Sequence, residues 1–237
     1  MVAAMLSDSV EILALPGGPA QVRWRRSRRA RRVSLRIDAK GGSVVVTLPH
    51  RVGRATGMAL LVEHADWVAE RLRILPGQIV FADGASVPLH GQPHAIRHVE
   101  KARAAVVARD GEILVSGEAP FLPRRVADFL RAEAKRTLAP LAIDKAATIG
   151  AKPARISFKD TSSRWGSCSS RGNLAFSWRL VMAPGFVQDY VVAHEVAHLR
   201  HMNHSPRFWA EVAGLTPHAE AANAWLRREG AQLLRVG

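Results

Sequence analysis

The sequence holds a single cysteine, Cys168, so no disulfide can form within the chain. That excludes the stapled scaffolds of small secreted proteins, and a reducing cytoplasm is the expected compartment. A structural zinc site built from several thiolates is excluded for the same reason. Long hydrophobic runs are missing too. No stretch approaches the ~20 apolar residues of a membrane helix, so no membrane partner is expected. Residues 1–20 lack a basic segment followed by an apolar one, which predicts no secretory signal. Neither an internal repeat nor a low-complexity linker is visible. Acidic residues are scarce: 20 Asp and Glu stand against 34 Lys and Arg, and the resulting net charge of +14 favours encounters with polyanions.

The positive charge is densest at Arg23, Arg25, Arg26, Arg28, Arg29, Arg31, Arg32 and Arg36. Nucleic acid is a conceivable partner for the Arg23–Arg36 cluster; the plainer reading is a solvated strand and its lead-in. Hydrophobic residues make up 48%, enough for an ordinary buried core.

Hydrophobic periodicity predicts an α+β fold, β-rich at the front and mixed helix and strand at the back. Residues 1–20, with Pro16-Gly17-Gly18-Pro19, read as a loose leader. Residues 21–118 read as a β-rich domain and 119–237 as a second domain, with a boundary near 118–122. Val33–Ile37 and Val44–Leu48 predict a hairpin around Gly41-Gly42. One helix is expected between Arg54 and Leu75. Short strands are expected at Ile79–Phe81, Val87–Leu89, Ala95–Val99, Ala104–Ala108 and Ile113–Ser116, with turns at Asp83-Gly84, His90-Gly91 and Asp110-Gly111. A second helix runs from Leu122 to about Ile149. Strands follow at Ala154–Phe158 and around Arg164–Ser167. Leu174, Phe176, Trp178 and Leu180 fall at the period of two of a half-buried strand. Pro184 then opens a helix.

That last helix carries His194-Glu195-Val196-Ala197-His198. Residues four apart share a helix face about 6 Å apart, so both imidazoles can reach one ion. Glu195 lies one position on and points beside the metal, where a carboxylate can serve as general base toward water. Packed core histidines are the rival reading of the pair.

A catalytic zinc needs a third protein ligand and an open position. His201 continues the same helix face, but three histidines on one straight helix spread over about 10 Å, whereas each ligand must lie about 2 Å from zinc. His204 avoids this if the helix ends near Met202 or Asn203. Ser205-Pro206 supports such a bend, since it reads as the N-cap and first residue of a further helix. Glu211 and Glu220 remain acidic alternatives, and His201 is expected at the rim.

These residues, together with Ser163-Arg164-Trp165-Gly166-Ser167-Cys168-Ser169 and Asn203-His204-Ser205-Pro206-Arg207-Phe208-Trp209, resemble the YgjP-like metallopeptidase family, which is related to the SprT-like zincins. Arg28-Arg29-Ala30-Arg31-Arg32-Val33-Ser34-Leu35-Arg36 and Pro88-Leu89-His90-Gly91 resemble the family's β-rich front region. The resemblance implies a zincin-like catalytic domain over 119–237, zinc on His194, His198 and His204, Glu195 as catalytic base, and a peptide or protein substrate. It also raises a nucleic-acid-associated protease as an alternative, because SprT-like relatives act on DNA-bound proteins. A non-enzymatic zinc-stabilised binding module is the third reading. Arg164, Tyr190 and His201 are candidates for contacting substrate or the developing oxyanion. Trp165 and Trp178 are expected in the core, and Cys168 as a small buried thiol.

Overall fold

A computed structural model of the chain describes residues 9–100 and 105–237 and has an α+β architecture. It divides into two compact units, Met1–Pro76 and Gly77–Gly237.

In the first unit, β1 (Ser9–Leu15) and β2 (Gly18–Ser27) pair antiparallel. Much of the expected loose leader is therefore a hairpin; residues 1–8 lie outside the described residues. Of the breakers, Pro16-Gly17 form its turn, and Gly18-Pro19 open β2. Ala20, Val22 and Trp24 alternate inward along β2, and burying these three side chains ties the hairpin down. The expected hairpin of β3 (Ser34–Asp38) and β4 (Ser43–Pro49) is present, and β4 also runs parallel to β2. The single helix expected between Arg54 and Leu75 is two, α1 (Arg54–Glu63) and α2 (Ala65–Arg73). His64, at φ −107° and ψ 22°, breaks it while Leu61, Ala65 and Val68 stay buried in this unit's core.

In the second unit, β5 (Ser86–Leu89), β6 (Gln92–Val99), β7 (Val106–Arg109) and β8 (Glu112–Ser116) form a sheet of order β5-β6-β8-β7. Residue 104, the expected start of one strand, lies outside the described residues. The turns His90-Gly91 and Asp110-Gly111 each have positive φ at both residues, the geometry of a tight two-residue hairpin. Ile79 does not sit in a strand; it makes one bridge, to Val236. The first unit's sheet has the order β1-β2-β4-β3. Both sheets thus join antiparallel, parallel and antiparallel pairs in the same sequence, a repeat of topology that no repeat of residues announces.

Helix α3 (Leu122–Thr148) spans about 40 Å. It buries Leu122, Val126, Leu130, Ala134, Leu138, Ala142 and Ala146, one residue per turn. This stripe shares one core with Val87, Ile96, Ile113 and Val115, so the boundary expected near 118–122 falls inside the second unit. A three-stranded sheet follows, with order β10-β11-β9, from β9 (Arg155–Lys159), β10 (Gly166–Cys168) and β11 (Asn173–Ser177). The strand expected to reach Leu180 stops at Ser177. Residues Trp178–Met182 are all buried and coil into a short 3₁₀ turn in place of the expected half-buried strand. Helices α4 (Gly185–Ala197), α5 (Pro206–Leu215) and α6 (Ala219–Leu234) complete the unit, with Pro184 capping α4 rather than opening it. Among the described residues, no helix is long and apolar enough to cross a membrane.

Candidate metal centre

Helix α4 is buried along most of its length, and Val187, Val191, Val192, Val196 and Ala197 lock it into the core. It ends at Ala197, with His198 as its cap, a turn before the expected end near Met202 or Asn203. The rings of His194 and His198 still meet, edge to face, with centroids 5.1 Å apart. Residues 199–203 then lead to Ser205, whose hydroxyl accepts the Phe208 N–H at the start of α5. This bend carries His204 back over α4. Its Nε2 lies 3.2 Å from Nε2 of His194. One ligand atom from each of His194, His198 and His204 lies within 4.8 Å of the others.

The donor set suits a divalent metal ion. His198 donates Nδ1–H to the His201 carbonyl at 2.9 Å, which leaves the Nε2 lone pair free. His194 has no such tether, since its Nδ1 is buried without a partner. Packing holds that ring instead, against Tyr190 at 5.9 Å and Phe208 at 5.0 Å. Burial, reinforced by His198 and His204, pushes His194 down to about 4. Burial also holds His198 below its ordinary value. Neutral imidazoles are the form that ligates.

Phe208 is fully buried and lies under all three rings, 4.5 Å from His198 and 4.7 Å from His204. Trp209 stacks on His204 at 5.7 Å. An apolar wall of this kind keeps the local dielectric low and the three rings fixed.

Glu195 is 7% exposed, and burial pushes its carboxyl up to about 7 against the opposing charge of Arg164. It packs on Gly166 of β10. A Cβ placed there would lie 2.4 Å from Glu195 Cγ and 2.7 Å from Oε1. Only glycine leaves room for this carboxylate.

The remaining candidates separate. Arg164 is exposed and forms no ion pair among the described residues, and its charge reaches Glu195. Tyr190 is buried, with its hydroxyl accepting from the Asn223 amide at 2.9 Å, so it braces His194. His201 turns its ring to Glu211, at 3.4 Å, and its carbonyl to His198. Neither Glu211 nor Glu220 joins the three-histidine cluster. Cys168 is half-buried in β10, and burial with the charge of Glu195 pushes its thiol up to about 11, which disfavours the thiolate. Trp178 is buried, and Trp165 packs near Gly230 of α6. Sequence reading assigned no role to Phe208, Asn223 or Gly166. Phe208 and Gly166 sit inside the quoted motifs; Asn223 carries no local signal.

The family model described as YgjP-like, metallopeptidase domain, matches residues 31–229. The crystal structure of the metallopeptidase zymogen of Pyrococcus abyssi abylysin is similar at 18% identity and a TM-score of 0.36, covering 39% of this chain and 94% of that one. That likeness is too slight to bear on mechanism. No curated protein matches the chain. The matched span takes in all three clustered histidines, Glu195 and the β10 glycine beside it, and the chain belongs to the YgjP-like metallopeptidase family.

Proposed function

We propose that this protein is a zinc-dependent peptidase in which His194, His198 and His204 hold the ion and Glu195 is the general base. The convergence of three imidazole nitrogens within 4.8 Å, with a buried carboxylate one residue along the helix, carries this reading. A bound zinc ion would supply Lewis acidity, easing proton loss from water and polarising the scissile carbonyl. Glu195 takes the proton of the attacking water as its oxygen bonds to the carbonyl carbon. It then delivers a proton to the amine as the C–N bond breaks. Of Arg164, Tyr190 and His201, only Arg164 has a side chain uncommitted to a neighbour, and it is assigned the contact with substrate. Strand β10 lies at the edge of its sheet, where an extended peptide can pair with the backbone. The single cysteine is consistent with a cytoplasmic place of work.

Metal analysis with a casein-cleavage assay tests the reading. Purified protein is expected to carry zinc, to lose cleavage on chelation and to regain it when zinc is returned. Cleavage indifferent to chelation overturns the proposal. Gly166→Ala is expected to displace Glu195 by close to an ångström. Its turnover should fall about 10²-fold, the cost of such a misplacement at a reacting group, with zinc content unchanged. Wild-type turnover would mean that Glu195 is not held by this contact.

A second reading, action near nucleic acid, draws on Arg25, Arg28, Arg29, Arg31, Arg32 and Arg36, none of which forms an ion pair among the described residues. Duplex and single-stranded DNA binding at two salt concentrations separates it: a steep fall with salt and DNA-stimulated cleavage favour it.

A further inference from the structure

A pocket of about 200 Å³ adjoins β10, lined by Lys159, Thr161, Arg164, Gly166, Ser167, Ala175 and Ser177. Register explains its make-up. Ser167 pairs with Ala175, and Ser177 with Lys159, so these side chains share one face of the small sheet. Gly166 pairs with Phe176 on the other face, against Glu195. Successive residues of β10 therefore look in opposite directions, one toward the candidate catalytic carboxylate and the next toward the pocket.

The lining carries two cations, three hydroxyls and no acid. Neither Lys159 nor Arg164 forms an ion pair among the described residues, and the neighbouring Asp160 is bound to Arg179. Ser177 is 1% exposed, and its hydroxyl has no hydrogen-bond partner. A buried hydroxyl left unpaired is costly, and an incoming acceptor relieves that cost. Unpaired cations beside an unpaired buried donor are complementary to an oxyanion, and in a peptide substrate that group is a carboxylate.

We propose that this pocket is a specificity subsite for a substrate carboxylate, received by Lys159, Arg164 and the Ser177 hydroxyl next to the bond being cut. The proposal rests on the peptidase reading. A peptide paired to the β10 edge presents alternate side chains to the two faces of the sheet. The residue adjoining the one nearest Glu195 is then directed at the pocket, and acidic residues there are preferred. A chain-terminal carboxylate carries the same chemistry, and the test separates the two sources.

The zinc-loaded full chain is incubated with two peptide libraries, one with free and one with amidated C-termini, and cut sites are read by mass spectrometry. Asp and Glu enriched at one fixed position beside the cut in both libraries support the side-chain source. Cleavage at a fixed distance from free C-termini only supports the terminal source. Matched peptides with Glu or Gln at that position then give a ratio of kcat/KM. Lys159→Glu is expected to lower the Glu:Gln ratio roughly fivefold, the scale of a charge reversal at an exposed lysine, and to favour a Lys peptide. Ser177→Ala is expected to lower it less. A partly unfolded variant depresses both rates alike and leaves the ratio unmoved, so circular dichroism on each variant accompanies the assay. A wild-type enzyme that cleaves peptides with no acidic preference, or a folded Lys159→Glu variant with an unchanged ratio, overturns the subsite and leaves the peptidase reading standing. Failure of the zinc-loaded wild type to cleave any peptide overturns both.

Discussion

Glu195→Gln is expected to lower peptide turnover by about 10²–10⁴-fold, the contribution of a positioned general base, while zinc content stays at the wild-type level. The substitution keeps the shape of the side chain, so the contact with Gly166 survives. It removes only the capacity to accept and return a proton. Glu195 is 7% exposed, and a neutral amide there avoids the cost of burying a charge. Thermal stability is therefore expected to hold or rise as activity falls. Steady-state kinetics, metal analysis and a melting curve on the same preparation check all three. Near-wild-type turnover in a zinc-loaded Glu195→Gln protein would remove the base from the mechanism. A non-enzymatic zinc-stabilised module has no turnover to lose, so a fall in cleavage from wild type to Glu195→Gln disposes of that reading.

The second large effect is expected at His204. Its ring is exposed and meets Trp209 and Phe208 beside the other two histidines. His204→Ala leaves two donors for an ion that takes three protein ligands at a catalytic site. Loss of a residue that merely supports a ligand costs 10–100-fold in affinity, so loss of a ligand is expected to cost more than about 100-fold. A ligand bound only to the folded state raises its stability. Added zinc should accordingly raise the melting temperature of the stripped wild type and leave that of His204→Ala unmoved. His201→Ala is the control. It removes the ring that faces Glu211 and keeps the carbonyl that orients His198. It is expected to retain zinc. Zinc lost from His201→Ala but kept by His204→Ala would reassign the third ligand.

The separation of these two histidines shows where sequence reasoning reaches and where it stops. Helix geometry alone argued against His201 as a partner of both His194 and His198, and Ser205-Pro206 marked the bend that brings His204 round. The sequence predicts an end of α4 near Met202 or Asn203, but the helix closes at Ala197. The earlier end frees the His201 carbonyl to meet His198, a tether that periodicity does not reveal. The N-terminal hairpin was hidden in a similar way. Pro16-Gly17-Gly18-Pro19 looks alike as a loose segment and as a turn, and burial of Trp24 and Val22 against Leu61 and Val68 decides between them.

By itself, the order of residues determined what depends on near neighbours along the chain: the α+β pattern, the two-residue turns, the long stripe of α3 and the four-residue spacing of His194 and His198. Backbone geometry repeats every few residues, so a local pattern suffices for each. Tertiary structure alone decided what depends on distant segments meeting: the boundary at Pro76, the matching strand orders of the two sheets, the descent of Trp178–Met182 into the core, and the seat of Glu195 against Gly166. These contacts join residues tens of positions apart, and close packing selects among many pairings that the local sequence permits equally well.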